Sequence, residues 1–227
     1  MAETAHRSKW RVEMRPFAAF LTGFSPIAAR IAVALPIMTI SSTSLAAIAL
    51  TALPFSILPV GPAMADQKDS RLMPLFDALQ KAASPEEAQT IEAIIWAIWA
   101  QTGNRELDML LVEGSMAMSN DDYDTALRDF SELVKRAPNF AEGWNKRATL
   151  YFLMGNYMAS LADIDRTLAL EPRHFGALAG LGLINLQMQR DQAALDAFQR
   201  VLKIDPMNAA ARTNAELVKH RLGDEAI

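Results

Sequence analysis

Lys146, Arg147, Arg173 and His174 are the polar residues whose types and grouping come nearest to a chemical site. Together they could bind an anion or an acidic partner segment through charge-assisted hydrogen bonds. Glu142, Asp163, Asp165 and Glu171 lie close in sequence and could instead take them up as structural ion pairs. His174 has no second histidine at metal-ligand spacing; His6 and His220 lie near the two ends of the chain. The sequence contains no H-x-x-x-H pair, no phosphate-cradling glycine loop and no G-x-S-x-G elbow. Asp121-Asp122-Tyr123-Asp124 lacks the spaced glycine and terminal glutamate of a calcium loop, and reads as a helix start. With no cysteine, disulfides, thiolate zinc sites and a cysteine nucleophile are excluded. The expectation is a protein that is not an enzyme, with no catalytic residue, metal or cofactor.

The elements that position these residues are written in a repeat. Pro138, Pro172 and Pro206 are spaced by 34 residues, as are Leu127, Leu161 and Leu195. Gly114, Ala148 and Gly182 keep the same register, and so do Ala126, Ser160 and Ala194, and Phe130, Ile164 and Phe198. This period predicts pairs of antiparallel helices, neither of which can bury its apolar face alone. Small residues at 114, 148 and 182 let the two helices approach, large ones at 130, 164 and 198 fill the space between repeats, and the prolines follow the second helix. Stacked units then share a continuous core and curve into a superhelix. The predicted class is all-α, a right-handed solenoid with repeats at 107–140, 141–174 and 175–208.

Flanking patterns extend it. Ser84-Pro85-Glu86-Glu87 is a capping box with proline at the first helical position, followed by an apolar face of Ile91, Ile94, Ile95, Ile98 and Trp99. Gly103-Asn104 is expected to end that helix. Residues 66–106 read as a degenerate helix pair capping the N-terminal end. Residues 209–227 read as a solvating terminal helix and tail, stopped at Gly223.

The first 65 residues have another character. They carry a charge of +3 against −7 for the remainder. A basic start, an apolar stretch from Leu45 to Leu58 and Ala63-Met64-Ala65 before Asp66 follow the order of a secretory signal. Cleavage between Ala65 and Asp66 and a periplasmic location are expected; an uncleaved anchor in the inner membrane is the alternative. The mildly acidic body offers no basic patch for nucleic acid.

The 34-residue pattern resembles the tetratricopeptide (TPR) repeat, with Trp144, Ala148, Tyr151, Gly155, Tyr157 and Pro172 as its fullest version. The run Ala141-Glu-Gly-Trp-Asn-Lys-Arg-Ala-Thr, with Leu170-Glu-Pro-Arg-His-Phe-Gly-Ala-Leu178, is similar to small exported TPR proteins of alphaproteobacteria. The resemblance implies a binding scaffold that supports envelope integrity. It places a peptide or protein partner in a concave groove lined by Asp108, Leu111, Ser115, Met118 and Ser119; by Glu142, Asn145, Thr149, Phe152 and Leu153; and by Gly176, Ala179, Leu183, Leu186 and Gln187. Asn145 and Thr149 share one helical face. Leu111 replaces a lysine of the carboxylate clamp found in chaperone-tail binders, so tail binding is not expected. An anchored assembly factor is the second reading, and a hydrolase or metal enzyme using His174 is the third.

Overall fold

The computed structural model describes residues 66–224. The leader and its cleavage site before Asp66 lie outside the described residues, except Asp66 itself. The described residues form helices throughout: α1 (Leu72–Gln80), α2 (Pro85–Trp99), α3 (Arg105–Ser119), α4 (Tyr123–Arg136), α5 (Ala141–Leu153), α6 (Tyr157–Leu170), α7 (Phe175–Gln187), α8 (Asp191–Ile204) and α9 (Ala209–Asp224). None of them is long and apolar enough to cross a membrane.

Local sequence explains the boundaries. α4, α6 and α8 each end two residues before Pro138, Pro172 and Pro206. Asp122 and Asn156 cap α4 and α6 by accepting from Thr125 N–H and Ala159 N–H. Ser84 Oγ accepts from Glu87 N–H at 3.2 Å, while the Glu87 carboxylate reaches back to Ala83 N–H at 2.9 Å. Two expected stops move. α2 ends at Trp99, and Asn104 instead caps α3, accepting from Glu106 N–H and Leu107 N–H. α9 runs through Gly223 to Asp224, because one glycine in a helix costs only about 1 kcal/mol.

The repeats pack as α3/α4, α5/α6 and α7/α8, with α9 against α8. A Cβ on Gly114 would stand 2.7 Å from the Phe130 ring, and one on Gly182 would stand 2.5 Å from that of Phe198. Ala148 fits where its partner is the narrower Ile164, and Ser160 Oγ donates to the Ala148 carbonyl at 2.7 Å. The turn between the helices of each repeat needs a left-handed residue in the same register: Asp121 (φ 60°), Gly155 (φ 76°) and Gln189 (φ 56°).

α3 touches α5, and α5 touches α7, without comparable contact between α4 and α6 or α6 and α8. The first helices therefore line the inner side of the curve. The N-terminal pair does not cap the solenoid as the pattern predicted. Leu72, Phe76, Leu79, Ile91, Ile95, Ile98 and Trp99 share one core with Phe175, Leu178, Ala179, Val201 and Ala211. The α1–α2 pair thus lies against the third repeat and α9, far along the array. The third repeat admits the pair because Gly176 leaves room for Trp96: a Cβ there would stand 2.6 Å from its ring. Residues 66–70 bridge back, with Gln67 donating to the Asn139 carbonyl at 2.6 Å and accepting from Ala141 N–H at 3.3 Å. Among the described residues, nothing is packed over the outer flank of α3.

Candidate partner-binding face

The groove positions divide into a covered half and an open half. Over the N-terminal ends of α5 and α7 lies α2. Its Trp96 packs edge-on against Phe175 (5.2 Å) and His174 (5.4 Å). Trp99 stacks on the His174 imidazole at 4.2 Å and 8°. Gly176 is small because Trp96 occupies its side-chain space; a Cβ there would stand 2.6 Å from the indole. The part of the groove expected around Gly176 and Ala179 is therefore filled by the chain itself.

Beneath α2 the polar groove residues are consumed internally. Glu142 is 2% exposed, Asn145 4% and Thr149 6%. Glu142 accepts from Asn145 Nδ2 at 2.8 Å, pairs with Lys146 Nζ at 3.4 Å and meets His174 Nε2 at 3.1 Å. His174 Nδ1 accepts from Ala177 N–H and so caps α7, which leaves the ring proton on Nε2, facing Glu142. Thr149 Oγ1 donates to the Asn145 carbonyl. Burial pushes the Glu142 carboxyl up, but the Lys146 charge and the bonds from His174 and Asn145 outweigh it and hold the group below the usual glutamate range. Asn145 and Thr149 thus both make bonds within the fold.

The suggested anion cluster also resolves into internal pairs. Arg147 makes a two-pronged bond to Asp163 at 2.7 and 2.9 Å. Arg173 does the same to Glu171 at 2.9 Å, with its guanidinium 4.2 Å from the centre of the Phe76 ring. Lys146 lies 5.9 Å from the centre of the Trp96 ring. Lys146, Arg147, Arg173 and His174 point to three different carboxylates, so they do not converge on one external anion. Among the described residues no three His, Cys, Asp or Glu side chains stand together as a metal site.

A second buried acid pair fastens α2 from the other side, and nothing in the sequence pattern announced it. Glu92 of α2 meets Asp205, which is wholly buried in the α8–α9 loop. Asn208 Nδ2 donates to Glu92 at 3.1 Å, while its Oδ1 caps α9. Burial, reinforced by the Asp205 carboxylate, pushes Glu92 up to about 8. The folded protein therefore holds a proton that the unfolded chain releases near the ordinary glutamate value of 4.5. Stability from this group is full below that value and declines as pH rises towards about 8. Glu92→Gln should flatten this alkaline slope and raise the melting temperature at pH near 8, as read by thermal melts across pH. An unchanged slope would show that the proton sits elsewhere.

The open half comprises the C-terminal ends of the inner helices. Ser119 and Gln187 are exposed, while Ser115, Leu153, Leu183 and Leu186 are half-buried. Phe152 is 9% exposed and Met118 3%, giving an apolar floor. Asp108 at the rim is tied to Thr102, accepting from its N–H and hydroxyl at 2.7 Å. Of the expected groove residues, Ser115, Ser119, Leu153, Leu183, Leu186 and Gln187 keep exposed area on this surface, over a floor that includes Phe152.

Comparison with known proteins agrees with this architecture. Residues 145–209 match the tetratricopeptide repeat family model. A TPR repeat-containing protein of Rhizobium etli is 36% identical over 152 residues, covering 67% of this chain and 74% of that protein. The yeast small glutamine-rich tetratricopeptide repeat-containing protein 2 is 27% identical, and the match spans 55% of this chain but only 36% of the yeast protein. Among solved structures, the first TPR domain of Spaghetti (RPAP3), bound to an HSP90 peptide, aligns with a TM-score of 0.51 at 20% identity, covering 52% of this chain and 94% of that one. The Sgt2 TPR domain of Aspergillus fumigatus aligns equally well, with a TM-score of 0.51 at 22% identity, covering 54% and 83%. The 34-residue register, the paired helices and these likenesses make this chain a member of the tetratricopeptide repeat family.

Proposed function

We propose that this chain is an exported protein–protein interaction scaffold that holds a partner segment on the open half of its inner face, in the bacterial envelope. One observation carries the reading. The inner face already holds an amphipathic tryptophan-bearing helix, α2, against its covered half. The same surface continues to Leu183 and Leu186, which are half-buried, with buried Phe152 beneath them. A preformed face of this kind lowers the ordering cost of binding. Its chemistry fits an apolar segment better than a terminal carboxylate, because Leu111 is buried where a clamp would need a cation. Export is supported by the order of basic, apolar and small residues before Asp66.

Photo-crosslinking in cells tests it. A crosslinker at Ser119 or Gln187 should capture a partner identified by mass spectrometry, and one at exposed Arg200 of α8 should not. Capture from Arg200 alone would overturn the inner-face assignment. The mass of the purified chain decides the tether: a mature protein beginning at Asp66 fits the exported scaffold, and a retained leader makes it an anchored assembly factor.

A further inference from the structure

The repeats stack by one flank. Each first helix of the second and third repeats offers a flank to the second helix of the repeat before it. In α5 that flank includes Gly143, against Leu133, and Leu150, in one core with Phe130 and Leu133. In α7 it includes Ala177 and Ile184, in one core with Ile164. The matching positions in α3 are Met109 and Met116, 49% and 61% exposed, and Val112 between them is 49% exposed. With Gly103 they border a surface hollow of about 610 Å³. The α1–α2 pair, which could have covered them, packs at the other end of the array. The far end is finished differently: α9 exposes Arg212, Thr213, Glu216, Lys219 and His220, with Leu217 among them.

From this asymmetry we infer that the α3 flank is a homodimer interface, occupied by α3 of a second copy in antiparallel orientation. Head-to-tail stacking would join an apolar end to a polar one. Joining the two apolar ends about a two-fold axis closes the assembly and matches the surface to itself. Charge supports the orientation. Arg105 and Glu113 both border the hollow and lie four residues either side of Met109. An axis passing near Met109 sets Arg105 of each copy beside Glu113 of the other and Met116 over the Gly103 hollow. A parallel arrangement would instead juxtapose like charges.

The test uses the protein purified as cells process it, with its mass per particle measured by light scattering. A dimer is expected at micromolar concentration. Val112→Asp buries two like charges and should raise its dissociation constant by about a hundredfold or more, with helical circular dichroism unchanged because the site is exposed. Arg105→Glu should weaken the dimer, and Arg105→Glu with Glu113→Arg should restore it. Because the chain has no cysteine, Met109→Cys should form a disulfide-linked dimer on oxidation, while Gln187→Cys should not. A monomer at about 100 μM, well above ordinary homodimer constants, would overturn the inference. So would a dimer that survives Val112→Asp, or failure of the charge swap to restore pairing. A monomer whose α3 flank captures another protein's helix would overturn it too.

Discussion

Replacing Trp99 by alanine should lower stability by about 3–5 kcal/mol, the cost of removing a large buried aromatic side chain. Trp99 is 1% exposed and touches four other rings: His174, Phe175, Phe76 and Trp96. It is therefore the main apolar link between the N-terminal pair and the repeats. Its loss would open a cavity above His174 and admit water to the Glu142–Lys146 pair. The damage should be uneven. Backbone amides of residues 72–99 should lose hydrogen-exchange protection well before those of α5 to α8, because the repeats retain their own cores around Phe130, Ile164 and Phe198. Trp99→Phe should be milder, since the indole N–H has no hydrogen-bond partner in the fold and its removal leaves no bond broken. If residues 72–99 stay protected in Trp99→Ala, the pair is held chiefly by Glu92 and by the bond that Gln80 Nε2 donates to the Lys203 carbonyl at 3.1 Å, and the aromatic account is wrong.

The repeats were legible because stacking imposes one register on every unit. Gly114 and Gly182 face phenylalanines, and Ala148 faces an isoleucine, so each small residue is sized by a partner 16 positions later in the same repeat. A single sequence displays that rule three times. The site of α1–α2 was not legible, because it depends on contacts that occur once. Trp96 and Gly176 are 80 positions apart and belong to no period. The missed signal was the glycine itself. Gly176 stands where the middle repeat has Glu142 and the first has Asp108, and an empty side chain at a binding position can mean a site already taken. The polar residues misled for a related reason. Glu142, Asn145 and Thr149 have the chemistry of a ligand surface, and only the covering helix shows that their ligand is internal. The open ends of the inner helices, by contrast, kept an exposed Ser119 and Gln187 that the pattern could have favoured only by guessing which half stayed free.

Glu142→Ala carries the other large effect, for electrostatic reasons. Glu142 is the carboxylate that Lys146 and His174 share, and the Lys146 side chain is only 5% exposed. The Trp96 face would remain near the ammonium, but a ring quadrupole offsets little of the cost of a buried charge. Removing one partner of a buried pair typically costs about 3–5 kcal/mol, whereas replacing both with apolar groups can be nearly neutral. Glu142→Ala should therefore destabilise strongly in urea at neutral pH, and Glu142→Leu with Lys146→Met should recover much of the loss. The acid limb supplies an independent check. The folded Glu142 carboxyl sits below its ordinary value of 4.5, so its contribution is complete above that value and is lost as pH falls through the lower folded one. Wild type should thus lose stability on acidification more steeply than the Leu/Met double variant. Equal slopes, or a single-variant cost below about 1 kcal/mol, the level of an exposed pair, would mean that Lys146 escapes to water and that the network does not fasten α2 to the inner face.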